Sequence, residues 1–162
     1  MNTLSVKIIG ALFVILSSYI SVRRCRDEDR AALNRTEDAI RFVSHVCESI
    51  SYHSKPVNDI ITSYKSESAE LCDFYMRAAE TSLEDELRRS FGIYDEETHA
   101  IMTDFATQLG HGYADSQLKL CELTERRLHE HYAVLSESAK NKKRSSTATA
   151  AFTAASIIFL LI

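Results

Sequence analysis

Proline and glycine are nearly missing: one proline and four glycines in 162 residues. That leaves little material for hairpins, sheet turns or phosphate-cradling loops, and it points to helices. No G-x-x-x-x-G-K-[ST] occurs, so the chain carries no nucleotide loop of that kind. The four cysteines, Cys25, Cys47, Cys72 and Cys121, are scattered without a short-spaced pair, and they read neither as a disulfide framework nor as a zinc site. A net charge of −4, with no basic stripe interleaved with aromatics, argues against nucleic acid as a partner.

What the chain does have is two apolar ends. Residues 4–22, LSVKIIGALFVILSSYISV, carry one charge, Lys7, near the outer edge. Nineteen helical residues reach roughly 28 Å, the thickness of a bilayer core. Residues 146–162, STATAAFTAASIIFLLI, carry none. Arg23, Arg24 and Arg26 follow the first run, and Lys140, Lys142, Lys143 and Arg144 precede the second. By the positive-inside rule the middle, 27–143, is expected in the cytoplasm between two transmembrane helices. A cleaved signal with a lipid-anchor tail, which would make Asn34-Arg-Thr36 a glycosylation acceptor, is disfavoured. The arginines stand where a stop-transfer flank belongs, and no small-x-small cleavage site precedes them.

Between the ends the pattern predicts an all-α, antiparallel bundle of about six helices. Leu33, Thr36, Ile40, Val43, Cys47 and Ile50 recur at four- and three-residue steps along one long helix. Ser54-Lys-Pro56 ends it and starts a second, faced by Val57, Ile60, Ile61 and Tyr64. Leu71, Phe74, Tyr75 and Ala78 mark a third. Thr81-Ser-Leu-Glu84 has capping-box spacing and opens a fourth with Leu83, Leu87 and Phe91, closed by Gly92. Asp95 caps a fifth that carries Ile101, Met102, Phe105 and Leu109. The sixth begins near Asp115 or Ser116 with Leu118, Cys121, Leu128, Tyr132 and Leu135, includes the charged Glu125 in its stripe, and runs into the second apolar segment. FATQLGHGYADSQ, residues 105–117, then falls between helices five and six and reads as a turn: Gly110 at a helix C-terminus, Gly112 beside it, a capping Asp115 or Ser116 beyond.

Catalytic and metal candidates are sparse. Glu96-Glu-Thr-His99 is one half of a di-iron-type ligand set, which needs a second Glu-x-x-His that this chain lacks, although Glu125 and His129 stand one helical turn apart. His129 and His131 are two apart and point to nearly opposite sides of a helix. His111 and Asp115 could form an acid/base couple, but no nucleophile is tied to them by spacing. Catalytic, cofactor and metal sites are therefore expected to be absent.

With these helices placed, the chain resembles the stage III sporulation protein AB family of endospore-forming bacteria, itself similar to the cytoplasmic domain of type II secretion system F proteins. Three features carry the likeness: the apolar segment at each end; Ile50-Ser-Tyr52-His-Ser-Lys-Pro56-Val57, similar to the family's I-x-Y-x-x-x-P-L turn; and Phe105, Leu109 and Gly110 with Gln117 seven residues on, similar to its F-x-x-x-L-G and following glutamine. The family's aspartate three residues after that glycine is Tyr113 in this chain, and its tryptophan is absent. The resemblance implies a non-enzymatic membrane component of the mother-cell complex that supports the forespore, in the outer forespore membrane. Its implied partners are a cytoplasmic secretion-type ATPase and the other membrane proteins of the assembly. A homo-oligomer is compatible with this reading. The acids Glu84, Asp85, Glu86, Asp95, Glu96 and Glu97 are the candidate partner-binding residues, because a clustered negative charge speeds encounter with a basic surface. The rival classes are a membrane-bound di-metal enzyme and a generic two-span adaptor.

Overall fold

The computed structural model describes the backbone over residues 3–53 and 56–161, and side chains at 16, 17, 19–52 and 56–145. It is helical throughout, with α1 at Thr3–His53, α2 at Val57–Ser63, α3 at Ala69–Glu80, α4 at Leu83–Arg89, α5 at Glu96–Gln108 and α6 at Ala114–Leu161. Two compact units result: Ala32–Val134, and Met1–Ala31 with Leu135–Ile162.

Each boundary has a local cause. Ser54 and Lys55 lie outside the described residues, but Pro56 is extended (φ −55°, ψ 145°) and opens α2, its carbonyl accepting from Asp59 and Ile60. The capping box of α4 sits one residue later than its spacing predicts. Ser82 is the cap, its hydroxyl accepting from the Asp85 amide at 3.0 Å. Thr81 instead donates to the Arg77 carbonyl at 3.0 Å and closes the end of α3. Asp95 caps α5 as expected, through Thr98 N–H at 3.3 Å. Phe91 departs from expectation. Because α4 stops at Arg89 and Gly92 turns the chain at φ +106°, Phe91 leaves the apolar stripe and is 83% exposed.

In the unit Ala32–Val134 the short helices pack in chain order, α2 on α3, α3 on α4 and α4 on α5. The core joins Ala39, Phe42, Val43 and Val46 of α1 to Ile60, Ile61, Leu71, Phe74, Leu87, Met102, Phe105 and Leu128. At its centre Phe42 stacks on Tyr75 with ring centroids 4.4 Å apart, and Tyr64 meets both rings edge-on. The charged interruption in the α6 stripe is explained by a partner on α1, since Ser44 donates to Glu125 at 2.6 Å. One turn away the Cys47 and Cys121 thiols meet, and burial pushes Cys121 up to about 12, far from a reactive thiolate.

The other unit is pinned by Lys142 of α6, which donates to Asp29 of α1 at 2.7 Å. Residues 4–22 and 146–161 are helical along the backbone, but the side chains of the two apolar segments, apart from 16, 17 and 19–22, lie outside the described residues. Among the described residues no helix is long and apolar enough to cross a membrane.

Candidate functional site

Three polar clusters stand out within the bundle, and each ties elements of it together. The first joins the two sequence motifs at the turn between α5 and α6. Gln117, 7% exposed, spends its whole amide there: its Oε1 accepts from the Gly110 N–H at 2.9 Å, and its Nε2 donates to the carbonyls of Gln108 (3.1 Å) and His111. Gly110 has φ +83°, and a Cβ on it would stand 3.2 Å from Val57 Cγ2. The turn after Phe105 and Leu109, both buried, therefore lies close against Val57, the first residue of α2 after Pro56. Ile50 and Val57 pack against the core, while Tyr52 is 78% exposed. His111 takes part through its backbone.

The second cluster ties α1, α5 and α6. The buried hydroxyls of Thr36 and Thr98 lie 2.9 Å apart, Thr36 also reaches Asp95 at 3.3 Å, and His131 donates to Asp95 at 2.7 Å. Burial works against ionisation of Asp95, but the bonds from Thr98 and His131 outweigh it and hold the carboxyl below its ordinary range.

The third is Asp38, 7% exposed on α1. Its Oδ1 accepts from Ser66 at 2.7 Å and Tyr64 at 3.2 Å, while Oδ2 has no partner. Burial raises this carboxyl's pKa above 3.8, more than the hydroxyls of Ser66, Tyr64 and Tyr75 lower it. A folded pKa above the unfolded one gives stability at acid pH that is lost as pH rises through the folded value. Asp38→Asn keeps the oxygen that accepts from Ser66 and Tyr64 and removes the buried charge. The expected result is a gain of about 1 kcal/mol at pH 7. The gain should shrink as pH falls toward 3.8, and urea melts of both proteins across that range check it.

The acidic candidates are divided by the structure. Glu86 is 3% exposed and committed inward, accepting from Arg77 at 2.7 Å and Ser90 at 2.9 Å. Asp95 is the half-buried cap just described. Glu84 is half-buried and ion-paired with Arg88 one turn on, at 2.5 Å. Asp85, Glu96 and Glu97 are exposed. Glu96 and Glu97 open α5 just after the α4–α5 turn, while Glu84 and Asp85 stand at the opposite, N-terminal end of α4. In that turn the Phe91 ring lies edge-on to His99 with centroids 5.2 Å apart, and His99 Nε2 donates to the Leu87 carbonyl at 3.0 Å. Phe91 is thus an exposed aromatic on a turn pinned by His99, with the exposed Glu96 and Glu97 following it. The sequence signal for it was the acid run; the exposure of Phe91 was hidden by its fit to the helical stripe.

Glu96 and His99 do not converge with further ligands, and His129 stands 3.9 Å from Glu125. Among the described residues no group of three or more His, Cys, Asp or Glu side chains could hold a metal ion. The fold these residues define is an all-helical bundle. The sequence model of the stage III sporulation protein AB family matches residues 7–162, and the chain belongs to that family. No curated protein and no solved structure matches it.

Proposed function

We propose that this protein is a non-enzymatic membrane component of a sporulation complex between mother cell and forespore. In this reading it is anchored by helices at 4–22 and 146–162, and its cytoplasmic bundle docks a secretion-type ATPase and neighbouring membrane proteins. Family membership supports the sporulation role. The observation that carries the docking step is a separation of charge along the chain. Residues 32–134 hold nineteen Asp and Glu against ten Lys and Arg, a net −9, while the remaining residues are net +5. An acidic body attracts a basic partner, and the attraction weakens as salt screens it. Phe91 supplies what charge alone does not, an exposed aromatic that a partner can bury, held beside His99 and followed by Glu96 and Glu97.

The test is co-purification of the full-length membrane protein with the ATPase of the same cells, at low and at high salt. Retention at low salt, reduced about tenfold by Phe91→Ala and again by Asp85→Lys with Glu96→Lys and Glu97→Lys, is expected. No association at any ionic strength, with both proteins folded, overturns the docking proposal. Association that ignores all four substitutions places the partner on another face.

A further inference from the structure

We propose that the exposed face of α1 just before the bundle is a binding site for an anionic phospholipid, a reading that rests on the membrane anchoring proposed above. Leu16, Tyr19 and Ile20 are 56%, 63% and 53% exposed, and Arg23 and Arg24 follow one turn later. At 3.6 residues per turn all five lie on one stripe, apolar at one end and cationic at the other. A shallow depression runs along it, lined by Tyr19, Ile20, Arg23 and Arg24 and, farther on, by Asp27 and Glu28. That is the shape and polarity of an amphiphile, with acyl chain against Leu16 and Ile20, glycerol level with the Tyr19 ring, and phosphate between two guanidinium groups.

The charge pairing nearby leaves these arginines for a ligand. Lys142 of α6 takes Asp29, so one of the three acids 27–29 is spent on the basic cluster of α6. Arg23 and Arg24 form no ion pair among the described residues, although both are exposed. Asp27 and Glu28, at the far end of the depression, repel an anion there and fix the phosphate at the arginine level. A juxtamembrane pair of this kind favours anionic over zwitterionic headgroups, and the preference is salt-dependent.

Spin-labelled phosphatidylglycerol and phosphatidylcholine, each added as a tracer to the full-length protein in phosphatidylcholine vesicles, read this directly as the fraction of motionally restricted lipid. Phosphatidylglycerol should be preferred about threefold at low salt, with the preference collapsing in 1 M salt. Arg23→Gln with Arg24→Gln, or the milder Arg24→Gln alone, should remove or weaken it. Lys119→Gln with Arg126→Gln, the same loss of charge elsewhere, should not. Millimolar glycerol phosphate should leave it intact; if that soluble anion abolishes the preference, the site is not a lipid site and the inference falls. Equal restriction of both lipids by the wild-type protein overturns the inference while leaving the anchors standing. No restricted lipid of either kind overturns the anchors and the inference together.

Discussion

Gly110→Val should lower the stability of the bundle by about 3 kcal/mol, a fall in Tm of about 15 °C for a unit of this size. Two costs add at this position. A β-branched side chain is forced to φ +83°, where L-residues lose steric freedom, and its first carbon meets Val57 Cγ2 at 3.2 Å. Relief of either cost moves the other neighbours, because Gln117 holds the Gly110 amide and the carbonyls on both sides of it. Gly110→Ala should fall between wild type and valine. His111→Ala should be within about 0.5 kcal/mol of wild type, since His111 contributes a carbonyl and its ring is exposed. Thermal melts of the four proteins decide it. A neutral valine variant would mean that the turn at Gly110 does not press on Val57, and a damaging His111→Ala would give the ring a chemical role.

Glu86→Lys should cost about 2 kcal/mol, whereas Asp85→Lys, one residue away, should leave stability within about 0.5 kcal/mol and act on partner association instead. The difference lies in direction. Asp85 faces solvent, while Glu86 turns inward and satisfies Arg77 and Ser90 at once. Burial disfavours its charge, but the Arg77 and Ser90 bonds prevail and keep its pKa below 4.5. A lysine there removes the oxygen that accepts from both Arg77 and Ser90 and sets a third positive group beside Arg77 and Arg89. Arg77 is half exposed and can turn to water, which keeps the loss below that of a fully buried pair. Equal destabilisation by the two substitutions in a denaturant melt would show that Glu86 is as free as its neighbour. The same measurement matters for mapping partners, because a Glu86 variant that loses binding loses it through the fold.

The helices were legible because glycine and proline are scarce and, apart from Gly10 within α1, stand at helix boundaries. Pro56, Gly92 and Gly110 stand at the ends of α1, α4 and α5, and Asp95 caps the fifth helix where the spacing predicts. The turn reading of residues 105–117 followed from the same signals. What was hidden is what depends on contact across the fold. Nothing in the periodicity separates Glu86 from Glu84 and Asp85, since three consecutive acids in a first turn look alike until a facing arginine selects one. Asp38 sits between buried neighbours on α1 and reads as an ordinary exposed acid until Tyr64 and Ser66 close over it. Phe91 fits the stripe of α4 by spacing, but the helix ends two residues before it. The candidate docking edge was thus visible as charge and invisible as an aromatic surface.

The neighbour-by-neighbour packing of α2 to α5 also sets an order in time. Each of those helices meets its partner within a few residues of leaving the ribosome, whereas α1 waits for α6: Ser44 is separated from Glu125 by 81 residues. Until that stretch emerges, the apolar face of α1 has only its short neighbours to cover it, and the nascent chain passes through an interval of exposed core. Closure by α6 should therefore come late in folding, and Leu128→Ala should prolong the aggregation-prone interval more than equally damaging changes within α3 or α4, which light scattering during refolding checks.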